Sequence, residues 1–377
     1  MSDAYRAGFS ADWHFSNRLP HAVRDPETLI SDRLGDQMRV WGAMVERLAS
    51  LKVEDLWIVG DLVDNDRLDA VVYKAVVAAL ANAVRRGLRV FLVPGNHEMH
   101  DAAGAHYILE GLSSLPGVTV CAGSELAPIK VGHGVNLWPL AARSDDAAVE
   151  IIRAANRKAD PRRDFLVIHQ QILGAANGTW IAPSGISPAD YNHFGYVIAG
   201  HFHRPQQFQG GRYLGAPMQF NYGDAGEARG FYVATWSTDT DAATKLVWQA
   251  QPIRSPQFWE ASWSGAAPQE IQVAQGDYLK LRLSGTRAYI DSQRDAIAAA
   301  KHSAIERGCR AVHVHLNVTA QTRERSVAAP VAGESLDWKG LLGAYVDAVD
   351  TTGFDRDALM AYGVRALEAA QGAAGGV

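Results

Sequence analysis

Val90-Phe91-Leu92-Val93-Pro94-Gly95-Asn96-His97-Glu98 is an apolar run that breaks abruptly into a polar, chemistry-bearing turn. Four or five apolar residues followed by a glycine or a metal-binding side chain is the pattern of a core strand that delivers chemistry at its carboxyl end. The pattern recurs along the chain. Leu56-Trp57-Ile58-Val59 leads into Gly60-Asp61, Phe165-Leu166-Val167-Ile168 into His169, and Tyr196-Val197-Ile198-Ala199 into Gly200-His201-Phe202-His203. Asp12-Trp13-His14, near the amino terminus, completes a set of five blocks.

Spacing adds to identity. Residues two apart at a strand end project to the same side, so Asp12 with His14 and His201 with His203 can each grip one ion together. Gly60, Gly95 and Gly200 precede ligands, where a residue without Cβ lets the backbone turn sharply and approach an ion or phosphate. The candidate ligands are Asp12, His14, Asp61, Asn96, His169, His201 and His203. Carboxylate, amide oxygen and imidazole without thiolate suit manganese, iron or zinc in a reactive site rather than a structural zinc. Asp61 stands alone between the two halves of the set and is assigned as a ligand shared by two ions flanking a nucleophilic water. A lone Gly-Asp or strand-end His is more often turn or packing chemistry. Five such blocks in one chain argue against that reading.

The blocks D-x-H, G-D, G-N-H-[ED], H and G-H-x-H, in this order, resemble the calcineurin-like metallophosphoesterases. The resemblance implies that Asp12, His14, Asp61 and His203 hold one ion, and Asp61, Asn96, His169 and His201 the other. It implies that His97 is not a ligand but faces the scissile phosphate as a catalytic residue, a role suited to imidazole near neutral pH. Gly200 to Gln206, Tyr213-Leu214-Gly215-Ala216-Pro217-Met218-Gln219 and Gly230-Phe231 look like the SbcD-type and phage recombination endonuclease subunits. That closer likeness implies a manganese-dependent DNA nuclease, an exonuclease on duplex ends and an endonuclease on single strands, working with an SMC-like ATPase in double-strand-break processing and recombination. It also implies a homodimer formed through the stretches 68–86 and beyond Glu98. Arg204, next to the last block, is a candidate substrate-binding residue. Leu62-Val63-Asp64-Asn65 departs from the Leu-Phe-Asp sequence common after the family's Gly-Asp, without loss of a ligand.

Elsewhere, apolar residues fall on helical faces, Trp41, Met44, Val45, Leu48 and Leu51 on one, and Leu68, Val71, Val72, Ala75, Val76, Ala79 and Leu80 on another. Strands alternating with such helices predict an α/β fold, a four-layer α-β-β-α sandwich over residues 1–255, ending in strands at Gly230 to Trp236 and Lys245 to Gln251. A β-α-β cap is expected over 256–320, with strands at Asp277 to Leu283 and Ala311 to Val318 around a helix from Tyr289 to Arg307. Between Gly276 and Arg325 there are nine Lys or Arg against five Asp or Glu, in a chain of net charge −5. Such an excess fits contact with a polyanion such as DNA, although a solvated charged face is its commoner meaning. Residues 321–335 read as a linker, and 336–377 as a helical tail that docks on a partner protein or on its own domain.

Chemistry outside the blocks is sparse. His21, His100, His106, His133, His193 and His302 lack partners at ligand spacing, and His313 and His315 read as the polar face of a half-buried strand. The two cysteines, Cys121 and Cys309, are far apart, which excludes a disulfide framework. With no signal-like amino terminus and no apolar stretch of spanning length, a cytoplasmic enzyme of a bacterial cell or of a virus-infected host is expected. Two rivals remain: a small-molecule phosphodiesterase or phosphoprotein phosphatase, and a non-catalytic adaptor of the ATPase.

Overall fold

The computed structural model describes residues 4–101, 104–237, 245–264, 273–319, 338–348 and 355–374. Residues up to Thr319 form one compact unit and those from Ala320 onward a second. The expected linker, 321–335, lies outside the described residues.

Two six-stranded sheets make up most of the first unit. In the first sheet the strands Ala4–Ser10, Asp55–Val59, Arg89–Val93 and Val118–Val120 run parallel, and Gly230–Ser237 and Lys245–Pro252 extend the sheet antiparallel. In the second sheet Val135–Leu140, Asp164–His169, Tyr196–Gly200 and Gly211–Tyr213 are parallel, flanked by antiparallel edges at Ile129–Gly132 and Gln206–Phe208. The central parallel strands are apolar on both faces because both faces are covered.

Burial identifies the layers. The helices Asp32–Ser50 and Ala70–Arg85 pack Trp41, Met44, Val45, Leu48, Val72, Val76 and Leu80 against Leu56, Ile58, Val90 and Leu92 of the first sheet. Asp145–Asn156 and Pro188–Tyr191 cover the second sheet with Ala148, Ile152 and Tyr191. Between the sheets lies an aromatic layer in which Trp57 stacks on Phe91 with ring centres 4.3 Å apart and on Phe9 at 6.3 Å. The architecture is the four-layer mixed α/β sandwich expected. Asp69 caps the second helix by accepting from the Val72 amide at 2.8 Å, so the helix begins at Ala70 and Leu68 lies before it.

Residues from Phe258 to Val318 add a three-stranded sheet, all parallel, of Phe258–Trp263, Tyr278–Gly285 and Ala311–Val318. The first of these strands was not anticipated, because it follows Pro256 directly and reads as connection. The expected helix between the other two is broken at Gln293 into Arg287–Ser292 and Arg294–Glu306. Leu279, Leu281 and Leu283 are buried on one face of this sheet with Ile290 and Ala304, and Lys280 and Arg282 alternate onto the other.

In the second unit the helices Trp338–Ala348 and Arg356–Ala374 pair, with Val346 buried and Tyr345 and Tyr362 exposed. No helix among the described residues is long and apolar enough to cross a membrane.

The aromatic layer is expected to dominate stability. Trp57→Ala should cost about 3–5 kcal/mol, whereas Val23→Ala, at an exposed position, should stay within about 0.5 kcal/mol. Urea denaturation followed by circular dichroism checks both, and similar midpoints would contradict the burial assigned to Trp57.

Candidate metal centre

His169 is the last residue of its strand and the other candidate ligands lie in the loops just beyond strand ends, which the two sheets place side by side. The chain from Asp12 to Phe15 continues the first sheet's parallel pairing as a loop: the Asp12, His14 and Phe15 amides donate to the carbonyls of Gly60, Asp61 and Leu62 at 2.9–3.0 Å. Four of the ligands sit at positive φ, Asp12 at 54°, His14 at 46°, Asp61 at 49° and His201 at 114°. Non-glycine residues hold such conformations only where surrounding contacts impose them, and these cluster at functional sites. Gly60, at φ 83°, and Gly200 serve the closest approach between the sheets. A Cβ on Gly60 would collide with the His169 ring, and one on Gly200 with the Val59 carbonyl.

The structure brings all seven candidate ligands together. His14 Nε2 lies 3.0 Å from His203 Nε2 and 3.6 Å from Asp61 Oδ2. The same Asp61 oxygen lies 3.2 Å from His169 Nε2. Asn96 Oδ1 faces His169 Nε2 at 3.1 Å and His201 Nδ1 at 3.0 Å. Asp12 accepts from the His201 amide at 3.0 Å and has a carboxylate oxygen within 4.8 Å of donors on both sides, with His14 and His203 on one and Asp61 and His169 on the other. Asp61 thus stands between two neighbouring groups of donors. His97 sits at the rim with its side chain 40% exposed, its Nδ1 held 2.6 Å from the Asp64 carbonyl and its Nε2 3.9 Å from Asp61 Oδ2. Arg204 pairs with Glu227 at 3.4 Å.

Electrostatics match a cation site. Burial raises the Asp12 carboxyl to about 6, against the pull of His169. Burial also opposes charge on Asp61, but His169, His14 and His97 outweigh it and hold that carboxyl well below the usual range. His169 is raised to about 10 because Asp61 and Asp12 overcome its burial. Burial, and then the neighbouring imidazoles, lower His201 to about 4 and His203 to about 3, which keeps both neutral and leaves them lone pairs to donate. Two imidazole nitrogens lie 3.0 Å apart beside a buried carboxylate, an arrangement in which a shared cation can take the place of the proton between them. Divalent cations of borderline hardness suit such an arrangement, and the donor set fits them.

Three further residues shape the centre, and sequence reasoning assigned none of them a role. Glu98 is fully buried and accepts from the amides of Asp61 at 3.1 Å, Val63 at 2.8 Å and Gly95 at 2.5 Å, pinning two ligand turns to each other. Burial, with the Asp61 charge beside it, raises its carboxyl to about 7. Asp64 places a carboxylate oxygen 3.5 Å from His14 Nδ1 while its own carbonyl holds His97. The buried Arg229 donates to the His203 carbonyl and pairs with Asp224 and Glu227. Glu98 and Asp64 lie inside or beside recognised blocks, so proximity was their available signal. Arg229 had none.

Residues 5–205 match the family described as calcineurin-like phosphoesterase. The chain belongs to that family. A calcineurin-like phosphoesterase is a metal-dependent phosphoester hydrolase with a dinuclear metal site, and the Asp and His donors gathered here are the candidates for holding it. No curated protein matches the chain. Among solved structures, a dimetal phosphatase from Danio rerio aligns with 12% identity and a TM-score of 0.44, over 66% of this phosphoesterase and 96% of that chain.

The roles that the resemblance implies for Asp61 and His97 can be separated by substitution. Asp61→Ala should weaken both metal ions, whereas His97→Ala should leave two ions bound and abolish hydrolysis. Calorimetric titration with manganese beside an activity assay checks this, and equal loss of metal in the two variants would refute it.

Proposed function

We propose that this phosphoesterase is a manganese-dependent DNA nuclease that cuts duplex ends and single strands, acting with an SMC-like ATPase and as a homodimer in break processing and recombination. One observation carries the nucleic-acid reading beyond the motif likeness. A cavity of about 440 Å³ runs beside the metal cluster between residues 15–18, which follow His14, and residues 65–72, which follow Asp64. Arg18 and Arg67 line it, both exposed and neither paired with an acid among the described residues, while of the two acids in the lining Asp66 is held by His100 and Asp69 by the start of the second helix. Guanidinium groups beside a phosphoester-cleaving centre suit a substrate with phosphates on both sides of the scissile one.

In this reading Asp12, His14, Asp61 and His203 hold one ion, and Asp61, Asn96, His169 and His201 the other. Two divalent ions there supply Lewis acidity to the phosphoryl oxygens and a nucleophilic water at neutral pH. The remaining work falls to the protein. His97, with Nδ1 directed to the Asp64 carbonyl at 2.6 Å, presents Nε2 toward the centre and protonates the leaving oxygen. Asp64 orients His14 from its far side, and Glu98 keeps the turns of Asp61 and Gly95 in register. Arg18 and Arg67 bind the flanking phosphates.

A second reading, hydrolysis of small phosphodiesters or phosphoproteins by the same residues, is favoured by the charge on the cap. Glu260 pairs with both Lys280 and Arg282 at 2.8 Å, and Arg310 pairs with Asp32 at 3.2 Å and Asp36 at 2.7 Å. These acids lie outside the stretch whose basic excess suggested a polyanion, and they offset part of it.

End-labelled duplex and circular single-stranded DNA, incubated with manganese, distinguish the two. Cleavage lost in His97→Ala and reduced roughly tenfold or more in an Arg18→Ala/Arg67→Ala double variant, with hydrolysis of bis-p-nitrophenyl phosphate retained by the double variant, is the expected result. Rapid turnover of bis-p-nitrophenyl phosphate by the unaltered chain without any cleavage of DNA would assign the smaller substrates.

A further inference from the structure

The cap meets the body at a joint rich in guanidinium groups. Arg33, fully buried on the first helix, has its guanidinium carbon 5.2 Å from the Phe258 ring centre and 5.4 Å from that of Tyr278, and donates to the Gln219 carbonyl at 2.8 Å. Beside it opens a second cavity, of about 450 Å³, lined by Arg39, Arg254, Ser255, Gln275, Gly276 and Arg310 among others. None of these residues belongs to the metal cluster. The three arginines come from separate parts of the chain: the first helix of the body, the connection after the strand Lys245–Pro252, and the residue before the last cap strand.

Their hydrogen bonds leave donor capacity unused. Arg39 uses one terminal nitrogen on Asp36, and its side chain is 55% exposed. Arg254 donates to the Ser255 carbonyl at 2.6 Å, the Gln275 carbonyl at 3.2 Å and Asp277 at 2.9 Å. Arg310 uses its two terminal nitrogens on Asp36 and the Tyr278 hydroxyl. Among the described residues the Nε of each donates to no protein acceptor. Around the joint four guanidinium groups, those of Arg33, Arg39, Arg254 and Arg310, are matched by three carboxylates, Asp32, Asp36 and Asp277. The contrast with Arg282 is instructive: both its Nε and a terminal nitrogen are taken up by Glu260.

We propose that this cavity binds a phosphate-bearing anion, contacted at once from the body by Arg39 and from the cap side by Arg254 and Arg310. Planar guanidinium forks converging from different directions favour a tetrahedral oxyanion with several acceptor oxygens, and the volume admits more than a single phosphate. Because its contacts come from both sides of the joint, the anion binds the docked cap and strengthens the docking. Two sources share this chemistry, a small soluble polyphosphate and the backbone of a nucleic acid.

Inorganic pyrophosphate titrated calorimetrically into the unaltered chain, without divalent ions, tests the site. Saturable binding of one equivalent and a higher melting temperature are expected. Arg39→Ala and Arg254→Ala should each weaken binding about tenfold or more, and Arg282→Ala should not. Arg254 also anchors the buried Asp277, so Arg39→Ala, altered at an exposed side chain, is the decisive variant if Arg254→Ala misfolds. Absence of pyrophosphate binding, or equal binding by unaltered chain and Arg39→Ala, would overturn the proposal. A labelled duplex displaced by pyrophosphate and weakened by Arg39→Ala assigns the site to nucleic-acid backbone. Duplex binding untouched by Arg39→Ala, with pyrophosphate binding lost, assigns it to a small polyphosphate.

Discussion

The imidazole of His169 spans the seam between the two sheets, with Nδ1 2.9 Å from the Val59 carbonyl and Nε2 3.2 Å from Asp61. His169 ends a strand of one sheet, and Val59 and Asp61 end a strand of the other. This contact requires the two strand ends to approach more closely than ordinary packed sheets do, since such sheets face each other about 10 Å apart. Gly60 and Gly200 make room for it, and the positive φ of Asp12, His14, Asp61 and His201 turns the chain inward just beyond. Glu98 then ties the Asp61 turn to the Gly95 turn. The geometry of the donors follows from the seam, and the seam from the aromatic layer that aligns the sheets.

Charge is handled differently in the centre and at the cap. In the centre, buried carboxylates and imidazoles confront one another with little solvent between them, so each group's charge state depends on its neighbours. At the cap, Glu260 pairs with Lys280 and Arg282 at partly exposed positions, where each pair contributes little stability but fixes direction, whereas the buried Asp36 and Asp277 each hold a guanidinium group that offsets their burial. Arg310, bound to Asp32 and Asp36 on the body, sets where the cap's last strand begins relative to the first helix.

The ligands could be read from the sequence because donor identity, an adjacent glycine and a preceding apolar run are all local. The helices with continuous apolar faces were legible for the same reason. Phe258–Trp263 was missed because a short strand that follows a proline and pairs in parallel has no local signature, its partner beginning only at Tyr278. The break at Gln293 was missed because the composition around it stays helix-favouring. Charge counted along the chain could not register that Glu260, Asp32 and Asp36, from elsewhere in sequence, pair with Lys280, Arg282 and Arg310 and offset part of the excess. Arg229 acts on the His203 carbonyl across a distance of 26 residues, and Asp64 reaches His14 across the sheet, relations that exist only in the folded chain.

The donors from Asp12 to His203 meet only when both sheets are complete and docked. No single sheet carries enough of them to hold an ion as the folded chain would. Binding at the centre is therefore thermodynamically linked to closure of the sandwich, and the free energy of ion binding is added to the stability of the native state. The availability of a suitable cation thereby becomes a determinant of the chain's lifetime against unfolding and proteolysis, as well as of its chemistry.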